Sequence, residues 1–263
     1  MPTGLFSLPT LKFLDLSHNL LGSPKHPGSC LSEAIGQCQS LVELHLAGNL
    51  LQQLPESIGD LANLEILNAK DNKLAALPQR IGLLDKLIKL NLDGNCITVI
   101  PASLGNLAIL RDLSIAKNKV REIESDCLSN LEALVMLDLH QNCFRDFSAV
   151  PRSSKLDTIS LGYNQLTTLS NLESAPNLSV LDLHSNKLVD LPLSIMNMNS
   201  LKTLTVSNNE LKDINPRIAL LEELVRLNIE GNPLKAIKPA MRSANAVQLK
   251  KYLKMRLGED EVE

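Results

Sequence analysis

The tetrapeptide Leu-Asp-Leu-His occurs twice in this 263-residue chain, at 137–140 and at 181–184. Ser160 and Tyr163 lie between the two copies. Aspartate and histidine are ligands of Zn²⁺, and serine, histidine and aspartate together supply the nucleophile, base and orienting group of a hydrolytic triad. These residue types raise two hypotheses, a metal site and a hydrolytic site. Both depend on how the chain positions the side chains.

A ladder of asparagines indicates what positions them. Ten asparagines are separated by gaps of 30, 23, 23, 23, 24, 22, 22, 23 and 23 residues. They are Asn19, Asn49, Asn72, Asn95, Asn118, Asn142, Asn164, Asn186, Asn209 and Asn232. Each ends the pattern L-x-x-L-x-L-x-x-N-x-L, as in LVELHLAGNLL at 41–51. Such a period predicts one short structural unit stacked many times into a single elongated domain.

The pattern resembles the leucine-rich repeat family from about residue 5 to residue 235. The resemblance implies an α/β solenoid, curved like a horseshoe, with a parallel sheet on its concave side and short helical or 3₁₀ turns on its convex side. The residues favour the same arrangement, because Leu14 and Leu16 alternate with the outward-facing Phe13, Asp15 and Ser17. We expect each asparagine to accept from one backbone amide and to donate to a carbonyl of the next coil.

A second pattern, L-P-x-x-I-G-x-L, follows the asparagine in several units, as in LPESIGDLANL at 54–64. Proline fixes the chain direction, and apolar residues then recur at helical spacing, which predicts a short helical or 3₁₀ turn. This variant resembles the intracellular subfamily found in Ras-pathway scaffold and polarity proteins. The units at 123–134 and 169–178 lack the proline, so an irregular convex side is expected there.

The repeat argues against both chemical hypotheses. The two LDLH copies fall two strands apart, which places His140 and His184 about 10 Å from each other, whereas one metal needs ligands within about 2.0–2.2 Å. Residues at the same outward position of successive repeats form a column on the sheet. The second column contains Asp138, Ser160 and Asp182, and the third contains His140, Gly162 and His184, so both histidines stand in a different column from Ser160. The open face offers no evident oxyanion donor. We therefore predict no catalytic, cofactor-binding or metal-binding residues. The alternatives left for this face are a protein-contact surface and a plain solvated surface. The predicted partner contacts are Phe13, Lys89, Asp112, Asp138, His140, Tyr163, Asp182 and His184.

Composition excludes several classes of protein. The net charge of −3 gives no reason to expect a nucleic-acid partner, and no apolar run reaches the length of a membrane span. Cys38 and Cys127 occupy positions of core residues, and Cys96 and Cys143 lie two units apart, beyond disulfide reach. Extracellular members of the family usually carry cysteine-rich caps, and none is visible. These features favour a reducing compartment, the cytoplasm or the nucleus.

The two ends differ from the repeats. Residues 2–11 match the convex half of a unit, which leaves the apolar edge of the stack uncapped. We expect a fragment of a longer chain, and the alternative is an edge covered by a partner or by a second copy. The solenoid is assigned to 1–235, a C-terminal capping helix region to 236–257 and a disordered acidic tail to 258–263. Leu249, Leu253 and Leu257 share one helical face. This segment resembles the one that closes a repeat block in leucine-rich repeat-containing protein 40 and its relatives. The insertion at 22–30 predicts an exposed loop.

Basic residues cluster near the C-terminal helix. They are Lys235, Lys238, Arg242, Lys250, Lys251, Lys254 and Arg256. One interpretation is a weak contact with an anionic partner, either a phospholipid headgroup or an acidic protein. The other is a solvated helix face with cations near the helix C-terminus.

Together, these features predict a non-enzymatic scaffold for protein–protein interaction in intracellular signalling. We expect it to bind a protein partner on its concave face. Two alternatives stay open. One is a secreted or effector-type recognition domain, and the other is the substrate-recognition part of a longer enzyme. No cofactor is expected.

Overall fold

The alternating leucines of each repeat form a short strand. The computed structural model of the protein describes Phe6, residues 8–25 and residues 28–257. Within these residues the strands are β1 (Phe13–Asp15), β2 (Glu43–His45), β3 (Ile66–Asn68), β4 (Lys89–Asn91), β5 (Val99–Ile100), β6 (Asp112–Ser114), β7 (Glu122–Ile123), β8 (Met136–Asp138), β9 (Asp146–Phe147), β10 (Thr158–Ser160), β11 (Thr168–Leu169), β12 (Val180–Asp182), β13 (Thr203–Thr205) and β14 (Arg226–Asn228).

Ten of these strands make one parallel sheet in the order β1-β2-β3-β4-β6-β8-β10-β12-β13-β14. The pairing is in register from unit to unit, so that Asp138 lies beside Ser160 and Ser160 lies beside Asp182. The middle residue of each of these ten strands is buried, and Leu137 is fully so. A fully buried leucine contributes about 1.5–3 kcal/mol to stability. The predicted α/β solenoid with outward columns of side chains is confirmed.

The asparagine ladder connects each coil to the coil before it. Asn164 accepts from the Phe144 amide at 3.1 Å and donates to the Leu139 carbonyl at 3.0 Å, both in the preceding coil. The same amide group donates to Leu161 in its own coil. The expected donation to the next coil is therefore wrong in direction. The nine asparagines from the second coil onward are buried: Asn49, Asn72, Asn95, Asn118, Asn142, Asn164, Asn186, Asn209 and Asn232.

Asn19 lies on the first strand-bearing coil that the structure describes, and it differs from the other nine. It is exposed and donates to the carbonyls of Leu16 and Ser17 in its own coil. This contrast separates the two roles of the ladder. The bonds within a coil shape the turn, whereas the bonds to the preceding coil satisfy buried backbone groups that would otherwise lack partners.

The convex side carries short 3₁₀ helices, as predicted. They span Glu33–Gln37, Glu56–Asp60, Gln79–Leu83, Ala102–Asn106, Glu124–Asn130, Leu172–Ser174, Leu193–Asn197 and Pro216–Leu220. Pro55, Pro78, Pro101 and Pro192 immediately precede four of them in extended conformation. The glycine of the motif serves close packing, because a Cβ on Gly82 would overlap the carbonyl oxygen of Ser103 in the next coil.

The units without the proline are irregular. The 3₁₀ helix Glu124–Asn130 has seven residues and Leu172–Ser174 has three, whereas the regular units have five. In the unit between them, residues 148–156 contain no 3₁₀ helix. The repeat pattern does not predict this difference. Two short parallel pairs, β5 with β7 and β9 with β11, lie in the same part of the chain.

Two helices follow the last strand, α1 (Pro239–Arg242) and α2 (Ala246–Lys254). Helix α2 packs on the 3₁₀ helix Pro216–Leu220 and fully buries Leu249 and Leu253. Its Lys250 ammonium donates to the carbonyls of Leu221, at 2.6 Å, and Leu224, at 3.1 Å. Burial lowers the pKa of Lys250. No helix of the described residues is long and apolar enough to cross a bilayer.

Part of the basic cluster therefore makes hydrogen bonds within the chain. Besides Lys250, Arg256 makes two hydrogen bonds to Asp213, at 3.0 and 2.8 Å, and the Arg256 guanidinium lowers the pKa of that carboxyl. The Arg242 Nε donates to the carbonyl of Ile237. The seven cations do not form one free cationic surface. The predicted acidic tail at 258–263 lies outside the described residues.

The insertion closes on itself, because the Gly22 amide donates to the Ser29 carbonyl at 3.0 Å.

All five cysteines are free thiols. Cys38 and Cys127 are buried, and burial raises the pKa of the Cys127 thiol to about 11. A thiol with so high a pKa stays protonated and unreactive at neutral pH.

We predict that Asn164→Ala lowers the free energy of unfolding by roughly 2–4 kcal/mol, because it leaves buried backbone groups of two coils without partners. Asn19→Ala is the matched control. Since Asn19 is exposed and its bonds stay within its own coil, we expect a loss below about 1 kcal/mol. Urea denaturation followed by circular dichroism measures both. Equal losses for the two variants would contradict the assigned role of the inter-coil bonds.

Candidate functional site

The register of the sheet brings seven of the eight predicted contact residues onto adjacent strands. They form the central patch, which comprises Lys89, Asp112, Asp138, His140, Tyr163, Asp182 and His184. These residues lie on or just after β4, β6, β8, β10 and β12, which are consecutive in the sheet. Phe13 is not part of the patch. It lies on the edge strand β1, three strands from Lys89, with its ring 5.2 Å from that of His45.

Each LDLH motif holds its histidine against the aspartate of the same strand. The Nδ1 of His140 lies 2.8 Å from Asp138 Oδ1, and the Nδ1 of His184 lies 2.7 Å from Asp182 Oδ1. A carboxylate only accepts, so Nδ1 carries the donated proton and Nε2 is the nitrogen that the pair leaves unused. All four side chains are between 25% and 30% exposed. The two imidazoles are thus oriented yet accessible.

The aspartates of the patch also have a structural task. Asp138 Oδ1 accepts the backbone amide of His140 at 3.0 Å, and Asp182 Oδ1 accepts that of His184 at 3.1 Å. The same bond recurs wherever the second outward column carries Asp or Asn. The other acceptors are Asp15, Asn68, Asn91 and Asn228. Aspartate and asparagine in this column therefore satisfy a backbone donor in addition to any contact with a partner.

Tyr163 and His184 form the aromatic part of the central patch. Their ring centroids are 4.6 Å apart in an edge-to-face arrangement, and Tyr163 is 57% exposed. The imidazole of His184 lies over Gly162 of the preceding coil, where a Cβ would overlap the ring. The missing side chain at this one position of the third column gives His184 the space to lean toward Tyr163.

Tyr163 lies in the turn just before a ladder asparagine, and its positive φ is a feature that the sequence analysis did not predict. The residue just before the ladder asparagine has positive φ, as at Tyr163 with φ of 53° and Gln141 with φ of 54°. Glycine takes this position at Gly48, Gly94 and Gly231. Glycine, asparagine, aspartate and histidine are the residues that favour this conformation. Their recurrence before the asparagine is the signal that could have revealed the turn.

An ion pair and an apolar side chain extend the patch toward β4. The Lys89 ammonium lies 3.1 Å from a carboxylate oxygen of Asp112. Met136 pairs with Asp112 in the register and is 37% exposed. An exposed ion pair of this kind contributes little to stability, about 0–1 kcal/mol.

The geometry does not support the metal or the hydrolytic hypothesis. Among the described residues, no group of three or more His, Cys, Asp and Glu side chains is arranged to hold a metal ion. Each histidine bonds to its own aspartate, and Gly162 lies between them in the column. In the part of the chain that the structure describes, Ser160 has no hydrogen bond to either imidazole, so a nucleophile and its base are not assembled.

Two family models match the sequence. Residues 1–155 match the model described as a leucine-rich repeat region, and residues 176–234 match the model described as a leucine rich repeat. The comparison with curated proteins gave no match. Among solved structures, 430 chains match, so similarity of fold does not by itself select a function.

Three solved structures illustrate the similarity. A leucine-rich repeat protein of Leptospira interrogans is 30% identical with a TM-score of 0.68, and the match covers 88% of this chain and 64% of that chain. A chain of the PEPR1–AtPEP1 crystal structure is 27% identical, with a TM-score of 0.74 and coverage of 88% and 33%. The functional domain of InlJ from Listeria monocytogenes is 25% identical, with a TM-score of 0.71 and coverage of 89% and 47%. The chain thus spans less than two thirds of each.

We predict that Gly162→Ala displaces the His184 imidazole, because the added methyl group would occupy the same space. The ring is the far end of a flexible side chain, so the fold should persist. The measurement is the NMR chemical shift of the His184 Cε1 proton, which senses the ring current of Tyr163. His140 belongs to the same motif and is the internal control, with its resonance expected to stay in place. An unchanged His184 resonance would refute the described packing.

Proposed function

We propose that this chain, which belongs to the leucine-rich repeat family, is a non-enzymatic scaffold that binds a protein partner through the central patch on its concave face. Proteins of this family are generally protein-interaction domains. The proposal for this chain depends on one observation. Tyr163 is largely exposed and is held by His184, which in turn is held by Asp182.

The arrangement of the central patch suits a protein partner. Protein interfaces combine an aromatic or apolar anchor with a polar rim, and a few such anchors carry most of the binding free energy. Tyr163 and Met136 are exposed anchors here, and the Asp–His pairs and the Lys89–Asp112 pair supply charges of both signs. Side chains that are already ordered lose less conformational entropy on binding.

We further propose an intracellular role, in the cytoplasm or the nucleus, as a scaffold in signalling. The L-P-x-x-I-G-x-L units and the five free thiols support it. The InlJ domain is described as including a cysteine ladder. In this chain Cys96 and Cys143 each directly follow a ladder asparagine, but Lys119 occupies that position in the coil between them. The two cysteines therefore do not form a continuous ladder. The similarity of residues 236–257 to leucine-rich repeat-containing protein 40 stays a prediction that fits this role.

A triple variant tests the proposed site. Tyr163→Ala removes the anchor, while Asp138→Asn and Asp182→Asn remove the charges and keep an oxygen that accepts the backbone amide, as Asn68 does. Affinity purification from cells of the source organism, with quantitative mass spectrometry, measures the recovered proteins. We expect at least a tenfold loss of one partner, which is the usual cost of removing an interface anchor.

The matched control changes the same number of acidic charges on the convex side, by Glu132→Gln and Glu173→Gln, two exposed positions. This control should recover the partner at the wild-type level. Thermal unfolding checks that both variants are folded. Equal recovery by the triple variant and the wild type, with both folded, would show that the central patch is not the binding site.

A further inference from the structure

A groove lies between helix α2 and the last coil of the solenoid. Its volume is about 600 Å³. Four apolar residues line it, and three of them are unusually exposed, with Val225 at 65%, Val247 at 76% and Met255 at 73%. These are among the most exposed large apolar residues of the described chain. Exposed apolar groups gathered at one concave place mark an interaction site more often than scattered ones do.

The groove belongs to the outer face of α2. Val247, Lys251 and Met255 follow one another at intervals of four residues, so they line one side of the helix. Leu249 and Leu253 lie on the other side and are fully buried against the solenoid. The outer apolar residues are therefore not needed to attach α2. Their exposed surfaces line the groove instead.

The rim of the groove is cationic. Lys250, Lys251 and Lys254 line it together with one acidic residue, Glu222. Lys250 directs its ammonium to the carbonyls of Leu221 and Leu224, just after the 3₁₀ helix, whereas Lys251 and Lys254 are exposed. The groove thus offers an apolar floor with two exposed cations beside it. An occupant of matching chemistry carries apolar side chains next to carboxylates.

We propose that this groove binds an acidic amphipathic segment of a partner protein, at a site separate from the concave face. The segment would place leucine-like side chains on Val225, Val247 and Met255 and glutamate or aspartate beside Lys251 and Lys254. A helix laid into an apolar groove is a common mode of peptide recognition. A membrane surface fits less well, because lipid-binding clusters usually contain about four to eight cations, and this rim offers two exposed ones.

The test uses a synthetic helical peptide of about 18 residues, roughly five turns, with leucines on one face and glutamates elsewhere. A second peptide carries lysine in place of every glutamate. The protein is labelled with ¹³C at its methionine methyl groups, so that Met255 reports on the groove and Met136 reports on the concave face. We expect the acidic peptide to shift the Met255 resonance while Met136 stays in place, and the basic peptide to shift neither.

Variants separate the charge from the apolar floor. Lys251→Glu/Lys254→Glu and, independently, Val225→Ser/Val247→Ser should each weaken the acidic peptide by about tenfold or more, which corresponds to about 1.4 kcal/mol. Lys117→Glu/Lys119→Glu changes two exposed cations far along the chain and should leave the affinity unchanged. The proposal fails if the serine variant binds as tightly as the wild type, because the attraction would then be electrostatic alone.

The other possible occupants give different results, and each would overturn the proposal. A Met255 shift caused by phosphatidylserine vesicles, with none from the acidic peptide, would indicate a membrane. A Met255 shift that depends on protein concentration alone would indicate a second copy of the chain. A third variant neutralises the acidic C-terminal segment by Glu259→Gln, Asp260→Asn, Glu261→Gln and Glu263→Gln. If the Met255 resonance of this variant differs from that of the wild type when no peptide is present, the occupant is the chain's own acidic segment.

Discussion

The hydrogen bonds from each buried asparagine to the coil before it are the constraint on which the rest of the structure depends. One side chain accepts an amide and donates to a carbonyl of the preceding coil, and also donates within its own turn, as Asn164 does. These bonds satisfy backbone groups that are sealed from water by the neighbouring coils, where an unpaired group costs about 1–3 kcal/mol. Because the nine coils from Asn49 to Asn232 repeat these bonds, the strands of the sheet pair in register, and the outward side chains form straight columns.

The columns explain how an open sheet face can hold its polar side chains in fixed orientations. In each second-column position that carries Asp or Asn, the side chain accepts a backbone amide, so its orientation is fixed before any partner arrives. Histidines at 140 and 184 are then held by those same carboxylates. The resulting face is open, polar and ordered. Its groups are oriented in the way that protein recognition uses.

Much of this could be predicted from the sequence, because a strict period fixes which residues share a column. The register of Asp138, Ser160 and Asp182 follows directly from the asparagine spacing. Other features could not. The pattern is the same for the coil before and the coil after, so it does not reveal the direction of the asparagine bonds. The task of Lys250 depends on where α2 lands on the solenoid, and the position of the His184 ring depends on the empty space above Gly162. The first is a tertiary contact between residues distant in sequence. The second depends on a side-chain rotamer, which the repeat period does not determine.

The central claim is that a partner contacts the concave face and not the convex face. Photo-crosslinking in the cells of origin tests it most directly, with benzoylphenylalanine placed either at Tyr163 or at Leu193, which is exposed on a convex 3₁₀ helix. The account predicts a discrete crosslinked product from position 163 and none from position 193. A product from position 193 with none from position 163 would contradict it.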